Sequence, residues 1–327
     1  MPEKTTTLRP LRAKLIFNAI SGQPQESPHQ LAEILNEMQD HNIVPEVFMV
    51  RPDSRAEAVV RSAIRRGIKL IVVAGGDGTI DSIAGAMVGS SATLGIIPTG
   101  TRNNLAFNLG IPSTIAEAVA LLREGRRLKI DVGYVRSGRA SRWFLEASTL
   151  GLLSDLFPVA DNIQHGNVAQ IGELLSTFFS ATPSTLSMVL DNDKRLDMTT
   201  HMVLIANMPF LGPRFQIGSD VSFLDNRLDV FVFSDMNKLN LISYVVQAIA
   251  GPVENPSFQH YQVRRLKINS APEMLVLADG SPLGQGTVTA EIRPRSLAVI
   301  AGLASVVTTE AQPVASTGVD SEVISEG

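Results

Sequence analysis

Cysteine is absent from all 327 residues, which excludes disulfides, thiolate zinc centres and cysteine nucleophiles and fits a reducing, cytoplasmic setting. The five histidines, His29, His41, His165, His201 and His260, show no metal-ligand spacing. Positive charge is not in excess. With 28 Lys and Arg against 32 Asp and Glu, the net charge is -4, so no global field draws in a polyphosphate backbone and nucleic acid is not an expected partner. Three local basic clusters, Arg61-Arg65-Arg66, Arg123-Arg126-Arg127-Lys129 and Arg264-Arg265-Lys267, read as solvated helix faces and strand ends, with anionic lipid headgroups as the alternative contact. Long apolar runs are also missing. The stretches around Leu239 to Ala250 and Leu297 to Val307 are too short and interrupted to span a bilayer, and Met1 to Pro10 lacks the apolar core of a signal peptide.

What is present is an ordinary globular composition, 44% hydrophobic and 18% charged, long enough for two domains. The first third alternates β-branched runs with helix-period segments. Leu15-Ile16-Phe17 is followed by Ser27-Pro28-His29-Gln30, a capping-box start for Leu31, Ile34, Leu35 and Met38. A strand at Glu46 to Val50 precedes Ser54 with Glu57, a helix to Arg66, a stop at Gly67 and a strand at Lys69 to Ala74; Thr93 to Ile97 and Ser113 to Glu124 continue the alternation. This order predicts an α/β fold with a doubly wound parallel sheet, and ligands outside the carboxyl ends of its strands.

From Leu128 the pattern changes to strands and hairpins. They are expected at Leu128 to Val135, Arg142 to Ser148, Thr185 to Leu190, Leu196 to Ala206, Gln262 to Asn269, Met274 to Ala278, Thr287 to Arg293 and Ser296 to Ala301. Helical stretches interrupt them at Leu150 to Ala181 and Leu239 to Ala250. The expected organisation is an α/β nucleotide domain over 1–127, a mostly β domain over 128–304 whose last strands return to the first, and a disordered tail over 305–327.

The densest motif is Gly75-Gly76-Asp77-Gly78-Thr79, after the apolar run Leu70 to Ala74 and before a helix marked by Ile80, Ile83, Ala84 and Met87. Glycines at a strand-to-helix junction let backbone N–H groups approach phosphate oxygens beside the positive helix end. An Asp there would repel phosphate alone, so it implies either Mg²⁺ between the two or a hydroxyl that it orients or deprotonates. A Gly/Asp-rich turn is the structural alternative. Two further strand-tip turns, Asn18-Ala19-Ile20-Ser21-Gly22 and Pro98-Thr99-Gly100-Thr101-Arg102-Asn103-Asn104, join it to suggest one composite nucleotide cleft.

With these three segments the chain resembles the diacylglycerol kinase catalytic-domain family of bacterial lipid kinases over roughly residues 14 to 302, a family whose nucleotide fold is shared with NAD kinase and phosphofructokinase. Family members read Asn-Pro-x-x-Gly, Gly-Gly-Asp-Gly-Thr and Pro-x-Gly-Thr-x-Asn-Asp; here Ala19 replaces the proline and Asn104 the final aspartate. The resemblance implies that Asn18, Ser21, Gly22, Gly75, Gly76, Asp77, Gly78, Thr79, Asp81, Gly100, Thr101 and Asn103 surround ATP. It also implies a structural Mg²⁺ on the Leu224 to Val230 segment, held by the Asp225 carboxylate and the carbonyls of Ser222 and Arg227, where the plain alternative is an Asp/Asn turn before a strand. Relatives carry Asp-Gly-Glu where this chain has Asp279-Gly280-Ser281, and their Glu is the proposed acceptor of the lipid hydroxyl proton. Asp279, Asp77 or a water held by Ser281 remain as substitutes. The resemblance further implies that Leu150 to Phe157 and Ile171 to Phe179 line a lipid pocket, that contact with the membrane surface is peripheral, and that a homodimer is admissible. Three readings stand: a lipid kinase, a catalytically degenerate nucleotide- or lipid-binding regulator, and an NAD kinase-like enzyme.

Overall fold

The computed structural model describes residues 9–20, 27–152, 154, 182–211, 217–218, 220–234 and 258–302. In its first third, strands β1 (Leu11–Phe17), β2 (Ile43–Met49), β3 (Leu70–Gly75) and β4 (Thr93–Pro98) alternate with helices α1 (Ser27–Asp40), α2 (Ala56–Arg65), α3 (Asp77–Met87), α4 (Asn104–Asn108) and α5 (Ile115–Glu124). The strands pair in parallel in the order β2-β1-β3-β4. Every residue of β3 and β4 is buried, which demands apolar cover on both sheet faces. Helix pairs α1 with α5 and α2 with α3 supply it, and Ile34, Val60, Ile80, Ile83 and Val119 pack with Ile16 and Val72 in one core.

The helix starts differ from the local reading. Ser27 already lies in the first turn of α1 and its hydroxyl donates to the Ala19 carbonyl, so it ties α1 to the tip of β1. Ser54 bonds the backbone of Arg51 instead of capping α2, whose N-cap is Arg55 without a side-chain bond. Gly67 does stop that helix, at φ 92.

The remaining strands are β5 (Arg126–Ser137), β6 (Ala140–Phe144), β7 (Ala147–Gly151), β8 (Ser184–Leu190), β9 (Lys194–Thr200), β10 (Met202–Ala206), β11 (Leu228–Val232), β12 (Gln259–Val263), β13 (Arg265–Ala271), β14 (Val276–Ala278), β15 (Ser281–Gly284) and β16 (Val288–Ala301). Among the described residues, the parallel sheet extends through β4 to β16, β13, β8 and β9, while β5 lies antiparallel along the other edge of β16 and carries β6. A second, six-stranded antiparallel sheet runs β12-β11-β10-β7-β14-β15. Val135, Met188, Ile268 and Ala290 of the first sheet face Leu150, Val203, Val230 and Val276 of the second in a sandwich core. The architecture is therefore an α/β parallel sheet followed by a mostly β sandwich, as expected.

Three expected strands are each two. The chain leaves one sheet for the other at Leu145-Glu146, at His201 and at Arg264, dividing β6 from β7, β9 from β10, and β12 from β13. Conversely, the two last expected strands are one, β16, with its register against β5 shifting between Arg293 and Leu297. The Arg295 backbone at φ 48 is pinned by donating to Asp131 Oδ1 at 2.7 Å. The short β15 had no sequence signal, and Leu150 and Gly151 close β7 instead of opening a helix. The helical expectations for 155–181 and Leu239 to Ala250 and the tail over 305–327 lie outside the described residues.

Candidate functional site

Strands β1, β3 and β4 are neighbours, so the turns that follow them meet at one edge of the sheet. Asn18, after β1, donates from Nδ2 to Thr79 Oγ1 at 2.7 Å, and its own N–H bonds Ala74 of β3. The turns after β3 and β4 touch backbone to backbone. A Cβ on Gly100 would stand 2.4 Å from Gly76 Cα, so only glycine allows this approach. Asn103, at φ 50, locks the second turn by accepting from the Gly100 N–H at 3.0 Å and donating to the Gly100 carbonyl at 2.8 Å. Asp77 Oδ1 then accepts the Asn104 N–H at 2.8 Å, joining the N-terminus of α3 to that of α4. In α3, Thr79 and Ile80 donate to Gly76, whereas the N–H groups of Asp77 and Gly78 precede any intrahelical acceptor and suit an anion. Nothing lies within 4 Å of a Cβ built on Gly78, and Thr101 is exposed. A Gly-lined, donor-rich cradle with open space over Gly78 fits a phosphate chain. Of the expected ATP residues, Ser21 and Gly22 lie outside the described residues; Asn18, Gly75, Gly76, Asp77, Gly78, Thr79, Gly100, Thr101 and Asn103 come together here.

A group of carboxyls backs this cradle. Burial pushes Asp77 above the ordinary carboxylate range, against the Asn104 N–H and the Arg102 guanidinium. Asp81, one turn further along α3, is raised well above that range by burial and then by the charges of Asp279, Glu146 and Asp77. Glu146, 5% exposed, is likewise raised well by burial and by Asp279 and Asp77. Asp279, at φ 43, is pushed up to about 6 by burial even though its carboxylate accepts three backbone N–H groups. These are Leu145 to Oδ2 at 2.7 Å and Glu146 and Ala147 to Oδ1 at 3.0 Å each. Asp279 thus satisfies the backbone where the chain crosses between sheets. Ser281 begins β15, paired with Ala278. Two buried acceptors nearby, Asp81 Oδ1 and Asn104 Oδ1, have no donor among the described residues, which suits a ligand that brings hydroxyl or N–H groups.

Local sequence reasoning passed over Glu146 and Asp131. Glu146 carried one usable signal: a lone carboxylate inside the apolar run Phe144 to Ala147. Asp131, fully buried, accepts the N–H groups of Asn226 and Arg295 and so holds the Leu224 to Val230 segment against β16. In that segment Asp225 Oδ1 accepts the Arg227 N–H at 2.9 Å, and Ser222 Oγ accepts from Leu224. Burial, helped by the charges of Asp229 and Asp131, raises Asp225 to about 6, a setting that a cation would relieve. Asp229 Oδ2 is buried with no donor among the described residues. Hard oxygens under negative potential suit Mg²⁺. Among the described residues no three acidic or histidine side chains converge on one point, so an ion on Asp225 would need backbone carbonyls and water to complete its shell.

Comparison with known proteins bears on the family and the fold. The family model described as diacylglycerol kinase catalytic domain matches residues 12–135, and the one described as YegS C-terminal NAD kinase beta sandwich-like domain matches residues 161–301. A diacylglycerol kinase of Bacillus subtilis (strain 168) is 26% identical over 276 residues, 82% of this chain and 89% of its own. A protein of Klebsiella pneumoniae (strain 342) named probable lipid kinase YegS-like is 26% identical over 283 residues, 85% and 93% of the two chains. In fold, the crystal structure of a diacylglycerol kinase from Bacillus anthracis str. Sterne superposes with a TM-score of 0.71 at 20% identity, covering 90% of this chain and 98% of that one. With family matches on both halves, the chain belongs to the bacterial lipid kinase family that contains diacylglycerol kinases and YegS-like proteins.

Proposed function

We propose that the protein is an ATP- and Mg²⁺-dependent kinase that transfers the γ-phosphoryl group to a hydroxyl of diacylglycerol or a related lipid. The observation that carries this reading is the Gly76–Gly100 contact at adjacent strand tips, beside the half-buried Asp77 and the buried Glu146. Residues 1–127 bind ATP and 128–304 present the lipid, with the metal-binding segment around Asp225, Ser222 and Arg227 in the second part.

Phosphoryl transfer relies on positioning and charge neutralisation more than on covalent chemistry. The first-turn N–H groups of α3, Asn18, Thr79 and the Gly100–Asn103 turn hold and orient the triphosphate, and Arg102 offsets negative charge near Asp77. Mg²⁺ bound with the nucleotide beside the Asp77 carboxylate would supply charge neutralisation for the phosphates. The lipid stays partly in its membrane and the contact with it is peripheral and reversible; among the described residues no helix is long and apolar enough to cross a bilayer. Purified protein given labelled ATP and a lipid panel is expected to phosphorylate at least one diacylglycerol-like substrate. Bound ATP with no labelled lipid would overturn the proposal.

Ser281, at the family's Glu position, supports a second reading as a nucleotide- or lipid-binding regulator. Ser281→Glu separates the two. A regulator gains turnover from a silent start, whereas an active kinase loses turnover or is unchanged.

A further inference from the structure

Beside residue 104, where this chain carries an amide, stands the carboxylate of Glu146. By resemblance the family has an aspartate where this chain has Asn104 and a glutamate where it has Ser281, so two acidic positions of the cleft are neutral here. Asn104 Nδ2, however, donates to Glu146 Oε2 at 3.1 Å. The lost charge is therefore one hydrogen bond from where it would have been, carried by a residue from another part of the chain.

The local structure fixes Glu146 as few buried acids are fixed. Its N–H donates to Asp279 Oδ1, and its carbonyl accepts from Asn207 and Met208 at 2.8 and 3.2 Å. This holds the backbone at the crossing from β6 to β7 in place from three sides. Oε1 accepts no hydrogen bond from a described residue, and Glu146 keeps 5% of its surface exposed. Asn104 in turn follows the Gly100–Asn103 turn and donates its N–H to Asp77. One short chain of contacts thus runs from the phosphate cradle to the Glu146 carboxyl.

The geometry points to Glu146 as the general base of this kinase, the group that accepts the proton of the lipid hydroxyl. This rests on the lipid kinase reading above. As the hydroxyl oxygen bonds to the γ-phosphorus, the bond from that phosphorus to the β,γ-bridging oxygen breaks and ADP departs with the electron pair. The hydroxyl proton passes to Glu146 and later to water, so the only co-reactant is ATP. The groups facing Glu146 are Asp279, Asp77 and Asp81, which favour its protonated form, and the Asn104 amide and Arg102, which favour its ionised form. Burial adds to the first set. The net effect is that the Glu146 carboxyl holds a proton more tightly than an exposed glutamate does.

The test uses the full-length protein and Mg·ATP with the lipid found active in the panel. Glu146→Gln keeps shape and the Asn104 contact region while removing the base. Its kcat is expected to fall about 10²- to 10⁴-fold, the usual loss when a general base is removed. Because only proton transfer is impaired, ATP affinity by calorimetry should stay within about 2-fold of wild type. The acid limb of the wild-type pH profile should vanish from the residual activity. Returning the charge across the hydrogen bond, in the double variant Asn104→Asp with Glu146→Gln, should recover at least about 10-fold of the loss. A purely structural Glu146 predicts otherwise: reduced ATP binding, an unchanged pH profile and no rescue, and that result overturns the assignment. So does a Glu146→Gln enzyme with wild-type kcat. Should Glu146→Gln not fold, Glu146→Asp serves, with a lowered kcat and retained acid limb expected, and an unaltered kcat counting against the base. A wild-type protein that phosphorylates no lipid overturns the lipid kinase reading itself, an outcome distinct from an active wild type indifferent to residue 146.

Discussion

Gly100 and Gly78 sit in the same cradle for different reasons, and substitution separates them. A Cβ at Gly100 would overlap Gly76 Cα at 2.4 Å and Asn103 Oδ1 at 2.9 Å, and backbone cannot swing aside as a side chain can. Gly100→Ala is therefore expected to cost about 1–3 kcal/mol of stability by overpacking and to weaken Mg·ATP binding, read by urea unfolding and calorimetry. A wild-type midpoint would refute the contact. Gly78, in the first turn of α3 with nothing within 4 Å of its Cβ, is predicted to behave oppositely. Gly78→Ala should hold or raise stability by up to about 1 kcal/mol while lowering ATP affinity, because the methyl group occupies space over the first-turn donors. Undiminished affinity would place the phosphates elsewhere. At this scale the cradle was legible because glycine, aspartate and asparagine advertise their backbone geometry locally. The role of Glu146 was not, because its partners Asp279 and Asn104 lie far along the chain and reach it only once both sheets have formed.

Strand β16 binds the two halves into one body. Its Val288, Ala290 and Ile292 belong to the sandwich core, and its Leu297, Val299 and Ile300 to the core under the parallel sheet. One edge pairs with β13 and then β4, and the other runs along β5. Leu297→Ala and Ile292→Ala are each expected to cost about 2–5 kcal/mol. Both should shift a single transition seen alike by far-UV circular dichroism and by Trp143 fluorescence, Trp143 packing against Gly85 of α3. Separate transitions for the two probes would show that β16 does not couple the cores. Elements were readable where the period of the pattern settles them: β3, β4 and the start of α5 fall within two residues of expectation. The alternation that marked residues 142–148, 196–206 and 262–269 as single strands is real, but it cannot say which sheet a strand joins. The breaks follow from a three-dimensional crossing, with the Asp279 carboxylate serving the N–H groups freed at one of them. The Asn18 turn was legible as a motif, yet its link to Thr79 depends on β1 and β3 being neighbours.

For the molecule as a whole, the net charge of -4 understates how unevenly negative charge is placed. Asp77, Asp81, Glu146 and Asp279 lie within electrostatic reach of one another, as Asp225 does of Asp131 and Asp229; Asp77, Asp81, Glu146, Asp279 and Asp225 all have proton affinities raised, chiefly by burial. For such groups the folded state binds protons more tightly than the unfolded one, so stability is greatest with the proton on and declines as it leaves. Asp279 and Asp225, raised from 3.8 to about 6, contribute stability that is fully present below about 3.8 and is lost as pH rises through about 6. Glu57 acts with the opposite sign: its bond from Ser82 lowers it below 4.5, so its contribution is lost only in more acidic solution. Together these place the optimum for the protein without ligands on the acid side of neutral. The melting temperature is expected to be higher at about pH 5 than at about pH 7.5. Millimolar Mg²⁺ should raise it at the higher pH, where the carboxyls are ionised, and hardly at all at the lower, where protons already occupy them. Asp225→Asn should abolish most of that metal response by removing the one side-chain carboxylate expected in the metal shell. Scanning calorimetry across this range, with and without the metal, checks each sign. A melting temperature that climbs steadily to about pH 7.5 would mean that these acids are solvated and paired in the folded protein, and that the cleft does not store negative charge for a cationic or proton-bearing ligand.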